Sequence, residues 1–500
     1  MRSTAVIALL KCFRIVTGRS RRDAELSYNR RSLLRLVAGS LAVTSCTESA
    51  PRAHGPKVDS PASRSTSPVP TSFSSTATVI PKFPSEPVDI DVLDSVAAST
   101  RQITRPVAAQ NSFTIVMAPS TSTAGTVGAL QLPPEISASR HRSLIPIGVS
   151  DAERVQVWRD QNWATNFAIA SVPLSGVQWG GRERDAAHPI DFPGFVGIPT
   201  ADTFITDREP VVVVTVENDS RAYPLQILLW HQVVNDVVGG NPVAITYCPF
   251  SNSSAVFDRR VLGASLRFGV SGNLWRSNLL LWDTATESWW QQSTGKAVVG
   301  DLMDVRLSAR PSLLVSYVDF KQWFPNGKVL SIATGVSGPY GITGYPGYDR
   351  QDSPSPLFGA KTDSRLSAKQ RVLTMELKGE AVAIDFDLLA KEHVVNTVVA
   401  DRPIVAFWKP GTVSALDKLN ISTSRDVGAA VAHGSRIAGR TLTFESAGGQ
   451  FRDRETGSIW DLRGRSTTGP LAGQQLSSIV HGNHLWFAWV AIHARTRLLS

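Results

Sequence analysis

Apolar runs in this chain are short and rich in β-branched residues. Val211-Val212-Val213-Val214-Thr215-Val216 predicts a buried strand, and Glu217-Asn218-Asp219-Ser220 predicts the turn that closes it. Arg221-Ala222-Tyr223-Pro224 leads into residues 225–234, whose spacing predicts a short helix carrying Trp230 and His231. On such a helix His231 and Asn235 would share a face. Residues 236–241 read as a turn, 242–247 as a strand, 249–254 as a second turn, and 255–259 and 266–270 as further strands. Residues 278–283 alternate into an aromatic turn region. No long amphipathic helix is evident. The pattern predicts a mainly β (α+β) fold built largely from antiparallel sheet.

The pattern also recurs. Val233-Val234-Asn235-Asp236-Val237-Val238-Gly239-Gly240-Asn241-Pro242 lines up without a gap on Val394-Val395-Asn396-Thr397-Val398-Val399-Ala400-Asp401-Arg402-Pro403, 161 residues later. Glu376 to Val382 matches the earlier strand and turn. Phe444 to Gly448 matches Phe268 to Gly272, and Asp453 to Trp460 matches Asp283 to Trp290. Four matches in one order predict a duplicated module, with a first copy over 175–370 and a more degenerate one over 371–492. Two related halves would pack together, leaving a site near their junction or in the half that keeps its polar groups. The copies differ at Tyr247-Cys248-Pro249 against Trp408-Lys409-Pro410.

The N-terminal region reads as address and tether. Asn29-Arg30-Arg31-Ser32-Leu33-Leu34 places a twin arginine before a short apolar run, the layout of a Tat export signal. The run ends at Val43-Thr44-Ser45-Cys46, which resembles a lipoprotein cleavage box and marks Cys46 for lipidation. Its length, and Arg35 within it, argue against a spanning helix. Residues 47–140 are rich in Ser, Thr and Pro and predict a flexible tether. Export, with anchoring to the membrane on its outer side, is therefore expected.

This division changes the charge. The formal net charge is +9, but residues 1–45 hold nine Arg or Lys against only Asp23 and Glu25, leaving the remainder near +2. Nucleic-acid binding needs clustered cationic side chains, and no such block follows. Of three cysteines, Cys12 and Cys46 lie in the signal, so Cys248 stands alone in the body without a disulfide partner.

Candidate chemistry centres on Cys248, at a strand end beside Pro249, with His231 as a basic partner. Together they suit either a nucleophile or a soft-metal site, for which copper is the fitting ion. The opposing reading is a buried, inert cysteine. His188, Met303, His481 and His484 are further ligand types, without close metal-site spacing. Trp275, Trp282, Trp289 and Trp290 fall within sixteen residues and suit either a ligand groove, for a sugar or peptidoglycan-like compound, or a packed core. Asp283 and Glu287 are the nearby carboxylates for general acid/base work; Asp283 equally suits a turn cap.

The chain resembles a family known as domain of unknown function 3179, found in secreted proteins and lipoproteins. The resemblance rests on Tyr223-Pro224, Trp230-His231, Asn235-Asp236, Thr246-Tyr247-Cys248-Pro249 and the segments from Phe268 and Asp283 named above. It continues through Trp323, Pro325, Lys328-Val329-Leu330 and the closing His484-Leu485-Trp486-Phe487-Ala488-Trp489, covering roughly 175–492. The resemblance implies a second cysteine where this chain has Ser251, which weakens any paired-thiol or two-cysteine metal site. Ala187-His188 stands where the family more often has Asp-Gly. The family implies an exported domain and no reaction.

The leading expectation is a lipid-anchored binding or accessory protein outside the membrane, taking a small molecule, a glycan or an envelope protein. The alternative is a copper-type metal protein or cysteine-dependent enzyme at Cys248 and His231. Glycoside hydrolysis by Asp283 and Glu287 is the third.

Overall fold

The computed structural model describes residues 149–351 and 363–500. The expected signal, Cys46 and the tether lie outside the described residues.

The described residues are mainly β, with several antiparallel sheets and few short helices. The valine run forms the strand Pro210–Val216, whose residues are nearly all buried, and it pairs antiparallel with Asp219–Pro224. Its outer neighbour is Leu313–Ser316, and Lys328–Leu330 adds in parallel on the far side. The helix Leu225–His231 then ends at Gln232, which takes a left-handed conformation with φ 60°. The chain leaves directly into Val233–Val238, paired with Asn241–Cys248, which pairs in turn with Ser253–Asp258. A third sheet runs through Phe268–Trp275, Asn278–Asp283, Trp289–Gln291 and Lys296–Val299. The helix is shorter than the sequence predicts because Val233 and Val234 favour the strand. His231 and Asn235 therefore do not share a helical face.

A second set of sheets has the same pairing order. Gly482–Leu485, Arg371–Leu377, Glu380–Asp385 and Arg497–Leu499 form one sheet, the last strand again parallel. The helix Phe386–Glu392 ends at His393 with φ 61°, matching Gln232. Val394–Val399, Arg402–Lys409 and Ala429–Gly434 pair next, followed by Phe444–Ala447, Gln450–Asp453, Ile459–Trp460 and Ser466–Thr468. Registers agree as well: Val211 lies opposite Pro224 as Val372 lies opposite Asp385.

Asn235 and Asn396 join sheets in the same way. Asn235 Nδ2 donates to the Phe268 carbonyl at 2.8 Å, and its Oδ1 accepts from the Phe268 amide at 2.9 Å. Asn396 makes the same pair with Phe444 at 2.8 and 2.9 Å. They are sheet clamps.

The two sets interlock reciprocally. Gly482–Leu485 of the second lies against Ser253–Asp258 of the first, and Leu313–Ser316 of the first lies against Ala429–Gly434 of the second. One apolar cluster draws on both, with Val211, Val213 and Phe320 packed with Val405, Phe407 and Trp460. Removal of this shared apolar surface from water is the main force holding the junction.

Candidate functional site

Cys248 ends its strand fully buried. Beside it, Ser251 and Ser253 hydroxyls lie 2.8 Å apart, and Asn278 Nδ2 donates to Ser251 Oγ at 3.0 Å and to Gln292 Oε1 at 2.9 Å. Gln292 Nε2 closes the network on Thr246 Oγ1 at 2.9 Å. The loop is covered from outside: the Leu485 amide donates to the Ser251 carbonyl, and Tyr348 Oη to that of Phe250. Burial pushes the Cys248 thiol pKa up, against hydrogen bonds from Ser251 that act the other way. The group is held as a thiol, away from solvent, which suits packing rather than nucleophilic attack.

His231 is committed elsewhere. Its Nδ1 donates to the His188 carbonyl at 2.6 Å, and its Nε2 accepts from Tyr340 Oη at 2.6 Å. With both ring nitrogens engaged, neither is left for a metal shared with Cys248. Burial also lowers the His231 pKa. Met303 is buried near the third sheet. No group of three or more His, Cys, Asp or Glu among the described residues is placed to hold a metal ion.

The tryptophan region is core, not groove. Trp289 and Trp290 are fully buried, and Trp282 nearly so. Trp158, Trp163 and Phe167 pack edge-on to Trp289 at ring separations near 5 Å. Trp282 Nε1 donates to Asp185 at 3.0 Å, while Trp275 is half-buried at its strand's end beside Arg276. Trp290 Nε1 donates to Asp283 Oδ2 at 2.9 Å, just as Trp460 Nε1 does to Asp453.

The two carboxylates have separate structural tasks. Asp283 is buried and also accepts from the Thr286 and Ala285 amides, capping its turn; burial raises its pKa. Glu287 accepts from the Ala164 amide at 2.7 Å and pairs with Arg184 at 3.0 Å. It straps the N-terminal segment to the third sheet. Neither carboxylate is set for acid/base work on a common ligand.

The junction offers a different site. A cavity of about 380 Å³ lies where Arg371–Leu377 and Gly482–Leu485 meet Ser253–Asp258, and its walls include Arg306, Glu376, His481, His484, Trp489 and His493. Thr374 Oγ1 donates to the Gly482 carbonyl at 3.0 Å and lies 2.8 Å from His484 Nδ1. The hydroxyl hydrogen is thereby spent, so His484 Nδ1 is the donor and its Nε2 carries a bare lone pair. Burial, reinforced by neighbouring His493, pulls the His484 pKa down to about 3. Trp489 stacks on His493 with ring centroids 4.0 Å apart. Arg306 stands 3.6 Å from Glu376.

Four side-chain atoms of the wall residues have no hydrogen-bond partner among the described residues and are closed to a water-sized probe, so they lie behind the cavity surface: His484 Nε2, Trp489 Nε1, Ser293 Oγ and Arg310 Nε. Unpaired buried polar atoms cost free energy, and a native protein keeps few of them.

A sister cavity of about 670 Å³ occupies the reciprocal place, walled by Val213, Leu313, Phe324, His433 and Arg463. Comparing the two is informative because the sheet registers match. His484 lies opposite Val372 where Val315 lies opposite Val211. Phe324 and His493 each follow a seven-residue helix and donate their amides to Phe320 and Trp489 respectively. Thus Val315, Phe320 and Phe324 occupy the positions that match His484, Trp489 and His493, and of the three only Phe324 lines the sister cavity, whereas all three matching residues line this one.

A family model matches residues 184–496, more than half of the chain. The chain belongs to DUF3179. That family is described as a protein of unknown function. No curated protein and no solved structure matches the chain. Within the DUF3179 match fall both the buried Cys248 loop and the whole junction cavity. Ser251 stands in the hydrogen-bonded network described above. His481 and His484 were legible as ligand-type residues, and Trp489 as part of the closing motif. His493, Glu376, Arg306 and Arg310 carry no local sequence signal; only the junction makes them neighbours.

Proposed function

We propose that this chain is a binding protein whose ligand enters the junction cavity walled by His484, Trp489 and His493. The observation that carries this reading is a cavity of about 380 Å³ where the two sets of sheets dock, whose walls bring together Arg306, Glu376, Trp489 and His493. The volume falls in the range of small-molecule sites, about 300–1,000 Å³. The twin arginine and Cys46 support export and lipid anchoring, which would hold the cavity outside the membrane. The two matching sets of sheets support duplication, followed by divergence of one junction wall.

The test is a thermal-shift screen of chemically diverse small molecules against the full chain in detergent. Wild type is compared with the Trp489→Phe/His493→Phe variant, which copies the aromatic pair formed by Phe320 and Phe324 at the matching helix. Compounds that raise the Tm of wild type but not of the variant are expected. A screen in which every stabilising compound acts equally on both proteins, or in which none stabilises, overturns the reading.

A further inference from the structure

Each set of sheets leaves part of one strand edge open at the junction. Pro210–Val216 pairs with Leu313–Ser316 only as far as Val213, and Arg371–Leu377 pairs with Gly482–Leu485 only as far as Thr374. The overhang 214–216 lines the sister cavity, and the overhang 375–377 lines the junction cavity. Along such a strand, successive residues turn their peptide groups to opposite sides. The Tyr317 amide donates to the Glu209 carbonyl at 2.9 Å, which sets the phase: Glu209, Val211 and Val213 face the neighbouring strand Leu313–Ser316. Thr215 is next in that phase. Its N–H and C=O therefore face the open side, they have no partner among the described residues, and the residue is exposed. Continuing the register would place Pro311 opposite Thr215, and proline has no N–H to give, so the chain's own strand ends short of it.

The two overhangs differ in what crosses them. Glu376, the match of Thr215, stands 3.6 Å from Arg306 of the first set. Thr215 Oγ1 instead lies 3.0 Å from Ser220 Oγ on its own hairpin. Side chains alternate between the faces of a strand, so a residue added opposite Thr215 would share the face of Val213 and Thr215. That face fronts the sister cavity: Leu313 and Phe324 pack against the cluster that holds Val213, and all three line the cavity. The same walls carry Arg310, Arg463 and Arg465 against one carboxylate, Glu217. Arg310 is paired with Asp258 at 2.5 Å and Arg463 with Asp461 at 2.7 Å. Arg465 is exposed, and its guanidinium has no partner among the described residues, so an incoming carboxylate can reach it.

We propose that the sister cavity is the docking groove of an extended acidic peptide, which adds to the edge of Pro210–Val216 at Thr215 and turns a carboxylate toward Arg465. An open strand edge is a template for another backbone, and the peptide groups of Thr215 supply one donor and one acceptor for it. The arginine wall selects the side chain that follows the pairing inward. The groove is distinct from the ligand site proposed above. It shares Arg310 and Ile479 with the junction cavity, but neither Trp489 nor His493 lines it.

The probes are three blocked heptapeptides, Ser-Thr-Val-X-Val-Thr-Ser with Glu, Gln or Lys as X, and a fourth with the Glu amide N-methylated. Each is titrated calorimetrically into the full chain at pH 7 and fixed ionic strength, because exposed charges are screened by salt. The Glu peptide is expected to bind at least tenfold more tightly than the Lys peptide. N-methylation is expected to weaken it at least tenfold, since it removes the donor for the Thr215 carbonyl. Thr215→Pro deletes only an N–H that faces the open side, so it is expected to keep the wild-type circular-dichroism spectrum and lose the peptide. Arg465→Glu is expected to bring the Lys peptide at least level with the Glu peptide. Trp489→Phe/His493→Phe, which alters the other cavity, is expected to bind the Glu peptide as wild type does. If the N-methylated peptide binds as tightly as its parent, or if no peptide binds up to millimolar concentration, strand addition at Thr215 is overturned. If N-methylation abolishes binding but the Glu, Gln and Lys peptides bind alike, the acidic class is overturned. Should Thr215→Pro fail to fold, the N-methylated peptide against wild type decides the same point.

Discussion

Thr374 Oγ1 and His484 Nδ1, 2.8 Å apart, tie the strand Arg371–Leu377 to its neighbour Gly482–Leu485 and fix the imidazole tautomer at the junction. The ring is 95 % buried and kept neutral, with a pKa near 3 in place of 6.5. A folded-state pKa below the unfolded one means that the unfolded chain takes up the proton first. Stability is therefore complete above pH 6.5 and falls as pH drops toward 3, by about 1.4 kcal/mol per unit for this one group. Between pH 6.5 and 4.5 the expected contribution is about 2–3 kcal/mol. Urea unfolding at both pH values should show His484→Gln losing less stability than wild type by about that amount. Equal losses would mean that His484 is protonated in the folded protein. His433, buried with its pKa lowered to about 4, acts in the same direction.

Replacing Trp489 and His493 together with phenylalanine tests the comparison of the two cavities. Phe320 and Phe324 already pack in this way, with ring centroids 5.6 Å apart. The variant should remain folded, with stability within about 1.5 kcal/mol of wild type, since the swap nearly conserves apolar volume. Ligand affinity should drop by at least about tenfold, or 1.4 kcal/mol. A variant that unfolds would show that the second wall cannot adopt the packing of the first.

Cys248 should behave as an interior residue. In the full chain carrying Cys12→Ser and Cys46→Ser, a thiol reagent at pH 8 should label nothing over hours and one thiol after denaturation. Cys248→Ala should cost about 1–2 kcal/mol through lost packing and leave ligand affinity unchanged. Rapid labelling of the native protein would mean that the loop opens and that the thiol is available for chemistry.

The two asparagine clamps share a geometry but differ in burial. Asn235 is buried and also bonds Asp191, whereas Asn396 is exposed. Asn235→Ala should cost about 2–3 kcal/mol and Asn396→Ala under about 1 kcal/mol, because water can enter beside the exposed Asn396 and take over its bonds to Phe444, whereas the site of Asn235 is closed. Denaturant midpoints of the two variants would settle the order.

The sheet-rich fold was legible because strand propensity and turns are local properties. Val211 to Val216 and the turn after it show this directly. The helix carrying His231 was read too long because its stop is Gln232 in a left-handed conformation, which glutamine does not advertise. Trp289 and Trp290 gave an ambiguous signal, since a core and a groove use the same residues. The junction cavity was hidden for another reason. His484, Arg306 and Ser254 are distant in sequence and meet only when one set of sheets docks on the other, and residue spacing carries no record of that docking.

The bond from the Leu485 amide to the Ser251 carbonyl also has a consequence for biosynthesis. Part of the cover over the Cys248 loop, and one wall of the junction cavity, come from the strand Gly482–Leu485 and the helix Trp486–Ile492, which are made long after the loop itself. A ribosome must therefore synthesise strands of both sets before either is complete, and a protease that clips this strand and helix would remove the cavity wall while leaving most upstream strand pairings uncut.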